Sequence, residues 1–388
     1  MNARQRKLIA SLSASKLADL LISAKTTLPA LLLAAGAPAW MLGWLVPIRE
    51  SGALLPQAPL GVLLRRLPAR HSVWRVGMHV QILSVLGIAA AALFLEGATA
   101  GWCMLAALVL LSLGRSACSL SMKDIQADIV EQGERGKLLG IASTISGILT
   151  LAIAVPLTFM GEGLGNEVAS GITLFAAGAF TVGLVILYAN HTRVETEDDG
   201  SSGFNWRFDS TVYRFILVRG LFVHSALLAP YFMVQSEQDA MQLLPYFLAA
   251  QALATMLSSF IWGSVADKSA RLTLQLAGGL ALLACALLNW LPEHNVYTAG
   301  FSFFVLAVAH TGVRTGRKTY SLDVKEGQDR TELVAFSNTA IGIILLGFGA
   351  LYAMLSATTD LNIVAIMSGA LTAGMLLTLI LPSEKATA

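Results

Sequence analysis

Ser121–Ile148 reads SMKDIQADIVEQGERGKLLGIASTISGI, and Gly316–Ile343 reads GRKTYSLDVKEGQDRTELVAFSNTAIGI. Lys318 follows Lys123 by 195 positions, and the same offset pairs Asp128 with Asp323, Glu131 with Glu326 and Arg135 with Arg330. Thr144 falls on Thr339, Gly147 on Gly342 and Glu134 opposite Asp329. In a chain of 388 residues that offset is about half the length. A charged block repeated at half length in an apolar chain predicts two similar membrane halves side by side, with a site between them.

Composition carries the membrane part of that reading. The chain is 55% hydrophobic and only 13% charged, where soluble domains hold about 25% charged residues. A bilayer-spanning helix needs about 20 mostly apolar residues. Such runs fall at Leu17–Ala37, Ala39–Leu64, Val73–Leu95, Gly101–Met122, Leu138–Met160 and Ile172–Tyr188. The second half repeats them at Tyr213–Val234, Leu243–Ala266, Leu272–Leu291, Val296–Gly316, Leu333–Ser356 and Ile363–Leu381. The expected fold is therefore all-α and polytopic, with twelve transmembrane helices in two pseudo-symmetric six-helix bundles. The domain bounds are 1–189 and 213–388, joined by a linker at 190–212. A membrane barrel would instead show alternating segments of about ten residues.

Charge placement orients the chain. With the N-terminus inside, the outer loops hold no Lys or Arg, while the inner loops hold Arg65, Arg66, Arg70, Arg75, Lys137, Arg193, Lys268, Arg271, Lys318 and Arg330. This is the positive-inside pattern. It places both termini and the linker in the cytoplasm of a bacterial inner-membrane protein. Arg4, Arg6 and Lys7 ahead of Ala35-Gly36-Ala37 can also be read as a signal peptide. Removing the first helix, however, breaks the loop-charge alternation. The linker, acidic at Glu195–Asp199 and Gly/Ser-rich after it, reads as solvated chain. Phe204, Trp206 and Phe208 are expected at the membrane interface.

Ionisable residues at membrane depth are costly and mark function by default. Counting ~1.5 Å per helical residue places Lys25, Arg49, Glu50 and His224 near the bilayer midplane. Arg49 offers a planar fork of donors for a carboxylate or phosphate, and Lys25 a point charge. Gln251 is the amide that pseudo-symmetry sets opposite Arg49. These four, Lys25, Arg49, Gln251 and His224, are the candidate substrate-binding residues. Glu50 and His224 are the candidate proton carriers. An internal network, Arg49 or Lys25 with Glu50, is the structural alternative. Arg115 and His310 are matched on the inner wall of the same path, and Asp19 with Arg219 is a candidate inner-gate pair. Pro47, Pro56 and Pro59 are expected to bend the second helix.

Trp262–Arg271, WGSVADKSAR, resembles the loop signature of the major facilitator superfamily at Gly263, Asp267, Lys268 and Arg271. The first-half equivalent, GVLLRRLPAR at Gly61–Arg70, keeps Gly61, Arg65, Arg66 and Arg70, with Arg65 where the family usually has Asp. Twelve helices in two halves, the inner linker and charged loops after the second, fourth, eighth and tenth helices extend the resemblance to the whole chain. It implies parallel repeats with the substrate between them near the midplane. It also implies a cytoplasmic latch in which Asp267, Lys268 and Arg271 act with Lys123, Asp128, Arg135, Lys318, Asp323 and Arg330. Asp267 is expected to meet the start of the fifth helix near Gly136 and Leu138, where a helix N-terminus favours a carboxylate.

The function expected is secondary active transport of a small polar solute, anionic or zwitterionic, coupled to protons, by a monomer in the lipid bilayer with no cofactor, no metal and no nucleic-acid partner. No Walker A, Ser-His-Asp, Cys-His or HExxH pattern is present, so the chain is not expected to be an enzyme. Two alternatives stand beside this. One is a proton-driven efflux pump, although Pro156 follows Val155 where drug exporters of the family carry a Gly-Pro signature. The other is a receptor or delivery protein on the same fold.

Overall fold

The computed structural model describes residues 2–57, 60, 69–131, 134–160, 165–192, 210–236, 238–291, 295–323 and 327–382, without side chains at 259–260, 322–323, 327–332 and 335. Arg65, Arg66, most of the expected linker and its three aromatic residues lie outside the described residues, as do the side chains of Asp323 and Arg330.

The described chain is helical throughout. In the first half the helices are α1 (Ala3–Leu21), α2 (Thr27–Ala34), α3 (Leu42–Leu54), α4 (Arg70–Phe94), α5 (Gly97–Ile129), α6 (Arg135–Thr158) and α7 (Asn166–Leu187). The second half holds α8 (Ser210–Phe222), α9 (His224–Gln235), α10 (Ala240–Ala266), α11 (Ala270–Trp290), α12 (Val296–Asp323), α13 (Gly327–Thr358) and α14 (Ile363–Leu377). Among the described residues, ten segments are long and apolar enough to cross a membrane as continuous spans, with α8 and α9 counted as one. The two remaining expected spans are α1 with α2, and α3 with the residues that follow it.

Local chemistry sets several ends. Asn2 and Gln5 form a capping box at α1. Asp239 accepts from the Met241 and Gln242 amides at the start of α10, and Ser269 from Leu272 at the start of α11. These side chains satisfy backbone donors that have no partner within the helix.

The first span departs from the expected Leu17–Ala37. Its helix begins at Ala3 and breaks between Leu21 and Thr27. Pro29 accounts for the break, because a proline ring collides with the carbonyl four residues earlier, here that of Lys25. The pseudo-symmetric span breaks more gently between α8 and α9, and α9 also contains a proline, Pro230. Both breaks open the backbone at the centre of the bundle. Irregular backbone at that depth is tolerated where it lines a cavity.

The repeated block also changes character. Its first copy is the end of α5, a short turn and the start of α6, and its second spans the end of α12 and the start of α13. Most of it is therefore helix rather than loop.

The halves meet along two related seams, α3 against α13 and α6 against α10. Small residues make the approach close, as expected where lipid removes most of the hydrophobic drive between helices. A Cβ at Gly349 of α13 would lie 2.6 Å from Pro47 Cγ of α3, and one at Gly147 of α6 would lie 2.5 Å from Met256 Cγ of α10. Ser51 Oγ donates across the first seam to the Gly342 carbonyl at 2.9 Å. Outward-facing Val76, Leu83, Phe94, Phe175 and Val185 are exposed, the lipid-facing surface of a multi-pass membrane protein.

Candidate functional site

A cavity of about 420 Å³ lies between the halves. The first half lines it with Lys16, Asp19, Ser23 and Lys25 from α1 and its break, Arg49 and Glu50 from α3, and Arg115 from α5. The second half contributes Ser225 from α9, Gln251 and Thr255 from α10, and His310, Arg314 and Arg317 from α12. The structure thus brings together Lys25, Arg49, Glu50 and Gln251, four residues far apart in the chain.

Arg49 does not pair with Glu50. Its Nη2 donates to Asp19 Oδ1 at 2.7 Å, and Nη1 of Arg115 reaches the same oxygen. Nη1 of Arg49 is buried with no hydrogen-bond partner. Glu50 makes no ion pair within 4 Å among the described residues, and the cations acting on its charge are, strongest first, Lys25, Arg317, Arg314 and Arg115. Gln251 Oε1 accepts from Ser23 Oγ at 3.0 Å, a bond that crosses from one half to the other.

His224 is placed differently from the sequence expectation. It is fully buried and absent from the cavity lining. Its Nδ1–H donates to the Leu221 carbonyl and its Nε2 accepts from the Tyr352 hydroxyl, each at 2.7 Å. Phe348 packs on the ring edge. A count along the helix gives no information on which way a side chain faces. Here it faces α13, and both nitrogens are occupied.

The Asp19–Arg219 gate pair also gives way. Arg219 donates to Ser337 Oγ and Asn338 Oδ1 of α13, both at 2.8 Å and both within its own half.

Two cavity groups escaped the sequence reading, Arg314 and Arg317, in VRTGRK. Arg314 falls within the expected span Val296–Gly316 without being singled out, and Arg317 lies just past its end. The helix continues to Asp323. Residues three apart share a helix face, and both arginines reach the cavity. His310, matched with Arg115 on the inner wall of the path in the sequence, lines the cavity as well. Ser225 Oγ donates to the Phe222 carbonyl at 2.8 Å, which leaves His310 Nδ1–H as the donor to Ser225 Oγ at 3.1 Å. His310 Nε2 is then an acceptor with no partner among the described residues.

Among the described latch residues, Asp128, Arg135 and Arg271 make bonds within their own halves. Asp128 takes Arg4 at 2.6 Å and Thr192 Oγ1 at 3.0 Å. Arg135 Nε donates to the Val130 carbonyl at 3.3 Å, and Arg271 holds the Leu379 and Leu381 carbonyls at the end of the last span. Lys123, Asp267, Lys268 and Lys318 are exposed. A Cβ at Gly136, where Asp267 was expected, would meet nothing within 4 Å. At the other end of the same seam Tyr246 Oη approaches the Thr158 carbonyl at 3.5 Å. The halves also touch toward the chain ends, where Asn338 Nδ2 donates to Gln57 Oε1 at 3.4 Å, while Asp267 stands exposed and away from the α6 start.

No family model and no curated protein matches the sequence. Solved structures do. The xylose transporter XylE from E. coli, in an inward open conformation, superposes with a TM-score of 0.68 at 14% identity, covering 97% of this chain and 95% of that one. A POT family transporter in complex with a thioalcohol conjugated peptide gives 0.70 at 11% identity, with 97% and 94% covered. The nucleoside transporter NupG gives 0.69 at 9% identity, with 98% of both chains covered. Likeness at such low identity over nearly whole chains is likeness of fold. The chain has the major facilitator fold.

Proposed function

We propose that this chain is a secondary active transporter that moves a small anionic or zwitterionic solute by alternating access, with protons as the coupling ion. The observation that carries the reading is the cavity between the two halves, lined by Lys25, Arg49, Glu50 and Gln251. Burying such groups in a membrane protein is expensive, and they persist where they line a substrate or ion path. The structures it resembles belong to transporters of a peptide, a nucleoside and a sugar, so the fold supports solute movement and leaves the solute to the side chains.

In this reading Arg49 and Lys25 attract the anionic group of the solute, and Gln251 and Ser23 complete its shell from opposite halves. Glu50 carries the proton. It lies one residue from Arg49, in the cavity and free of an ion pair among the described residues, so its charge state alters the field the solute feels. The side that carries Asp267 and the chain ends faces the cytoplasm, as the positive-inside pattern requires. Asp267 and its neighbours close on the α6 start when the halves rock the other way.

The test is uptake of labelled anions and amino acids into proteoliposomes under an imposed pH gradient. Flux should follow the gradient, and Arg49→Ala should abolish both binding and flux. Glu50→Gln should retain solute exchange while losing its response to the gradient. Absence of gradient-driven flux across a broad panel would count against transport.

A further inference from the structure

The charge balance of the cavity narrows the solute, resting on the transport reading above. Six cationic side chains reach the cavity, Lys16, Lys25, Arg49, Arg115, Arg314 and Arg317, against two carboxylates, Asp19 and Glu50. Three of the cations have partners. Lys16 Nζ donates to Ser143 Oγ at 2.5 Å, and Arg49 and Arg115 share Asp19. The side chains of Lys25, Arg314 and Arg317 have no hydrogen bond or ion pair among the described residues. Glu50 is the one carboxylate left to balance them, and it pairs directly with none.

The six cations outnumber the two carboxylates by four: Arg49 and Arg115 share the single charge of Asp19, the partner of Lys16 is a neutral hydroxyl, and Lys25, Arg314 and Arg317 face Glu50 without pairing to it. Arg314 is exposed and screened by water, while Lys25 and Arg317 are half-buried, where screening is weaker. Arg314 and Arg317 share one face of α12, an arrangement that is unfavourable for like charges unless something binds them together. Nη1 of Arg49 adds a buried donor with nothing to donate to.

We propose that the cavity binds a solute carrying at least two negative charges, held between Lys25 and Arg49 of the first half and the Arg314–Arg317 pair of the second. Guanidinium forks match the paired oxygens of carboxylates and phosphates. The solute class is therefore a phosphate monoester or a dicarboxylate. A singly charged solute offsets one charge of the excess and a zwitterion none, whereas a dianion offsets two. A dianion thereby lowers the repulsion between the halves, so it also favours their closing around the load.

The experiment uses the purified full-length protein in nanodiscs at constant ionic strength, with binding read by calorimetry and thermal shift. Inorganic phosphate, glycerol 3-phosphate and succinate are the doubly charged probes; lactate, glycine and glycerol are the singly charged, zwitterionic and neutral ones. At least one dianion should bind at least tenfold more tightly than lactate. Preference for glycerol 3-phosphate or for succinate then identifies the phosphate or the dicarboxylate class.

Arg314→Gln and Arg317→Gln should each weaken that dianion at least tenfold. Arg314→Lys and Arg317→Lys, which keep charge but lose the fork, should fall between. Arg214→Gln, at an exposed position away from the cavity, should bind as the parent does. Thermal unfolding of each unliganded variant shows that it is folded. Dianions no tighter than lactate or glycine, or unchanged affinity in the folded Arg314→Gln/Arg317→Gln double variant, overturn the proposal. Liposome flux keeps the two readings separate. Tight dianion binding without flux sinks transport and leaves the dianion site, whereas flux of a neutral or singly charged solute that dianions do not inhibit does the reverse.

Discussion

Asp19 holds Arg49 at 2.7 Å inside the cavity, and one oxygen of the same carboxylate also takes Arg115. An internal carboxylate thus occupies the fork that an incoming anion needs. Asp19→Asn removes that competitor. Two consequences are expected, with opposite signs. The empty protein loses about 1–3 kcal/mol of stability, because partly buried cations are left unpaired; Asp19 keeps a fifth of its side-chain exposure, which holds the loss below that of a fully buried pair. Anion affinity rises by about tenfold, or ~1.4 kcal/mol. Thermal unfolding with and without ligand reads both, and an unaltered affinity would show that Asp19 does not compete.

Arg49→Lys tests the fork rather than the charge. Lysine is a flexible point charge and cannot present two parallel donors. Affinity for an anion should fall by about tenfold or more, or ~1.4 kcal/mol, even with the charge retained. Equal binding by Arg49→Lys and the parent would reduce the role of Arg49 to bulk electrostatics.

His224 and His310 should separate cleanly. His224→Phe leaves the Tyr352 hydroxyl and Leu221 carbonyl without their partner, at a cost of about 1–3 kcal/mol. It should lower the unfolding temperature while leaving the pH profile of flux in place. His310→Phe removes a cavity acceptor and should alter that profile. A profile changed by His224→Phe and untouched by His310→Phe would reverse this assignment.

Gly349→Leu should block the α3–α13 seam. The added side chain meets the Pro47 ring, which cannot swing aside because proline is fixed within α3. Overpacking of this kind costs about 1–3 kcal/mol. Gly347→Leu, where an added Cβ meets nothing within 4 Å, is the matched control. Comparable unfolding temperatures for the two variants would mean that the seam can relax.

The latch residues should engage only in the other state. Gly136→Cys with Asp267→Cys, in a background lacking Cys103, Cys118 and Cys285, should cross-link poorly in the empty protein and more fully when solute drives the halves to close on that side. Cross-linking that is high at rest and insensitive to solute would contradict an unlatched resting state.

The sequence by itself determined the membrane class, the two halves and which ionisable groups fall within apolar runs. Apolar run length is fixed by bilayer thickness, and a duplicated chain keeps its offset, so neither needs a tertiary contact to be seen. Lys25, Arg49 and Glu50 were legible as cavity residues because a charge within an apolar run has few uses besides a cavity, and Gln251 through its pseudo-symmetry with Arg49. Tertiary structure decided which way side chains face and what partners they take. His224 turns toward Tyr352. Arg219 takes Ser337 and Asn338, while Asp19 goes to Arg49 and Arg115. Arg314, inside the expected span, and Arg317, just past it, face the cavity on one side of α12. Helical periodicity gives depth at 1.5 Å per residue, but rotation about the axis is set by packing against neighbouring helices, and that rotation separates a cavity residue from a packed one.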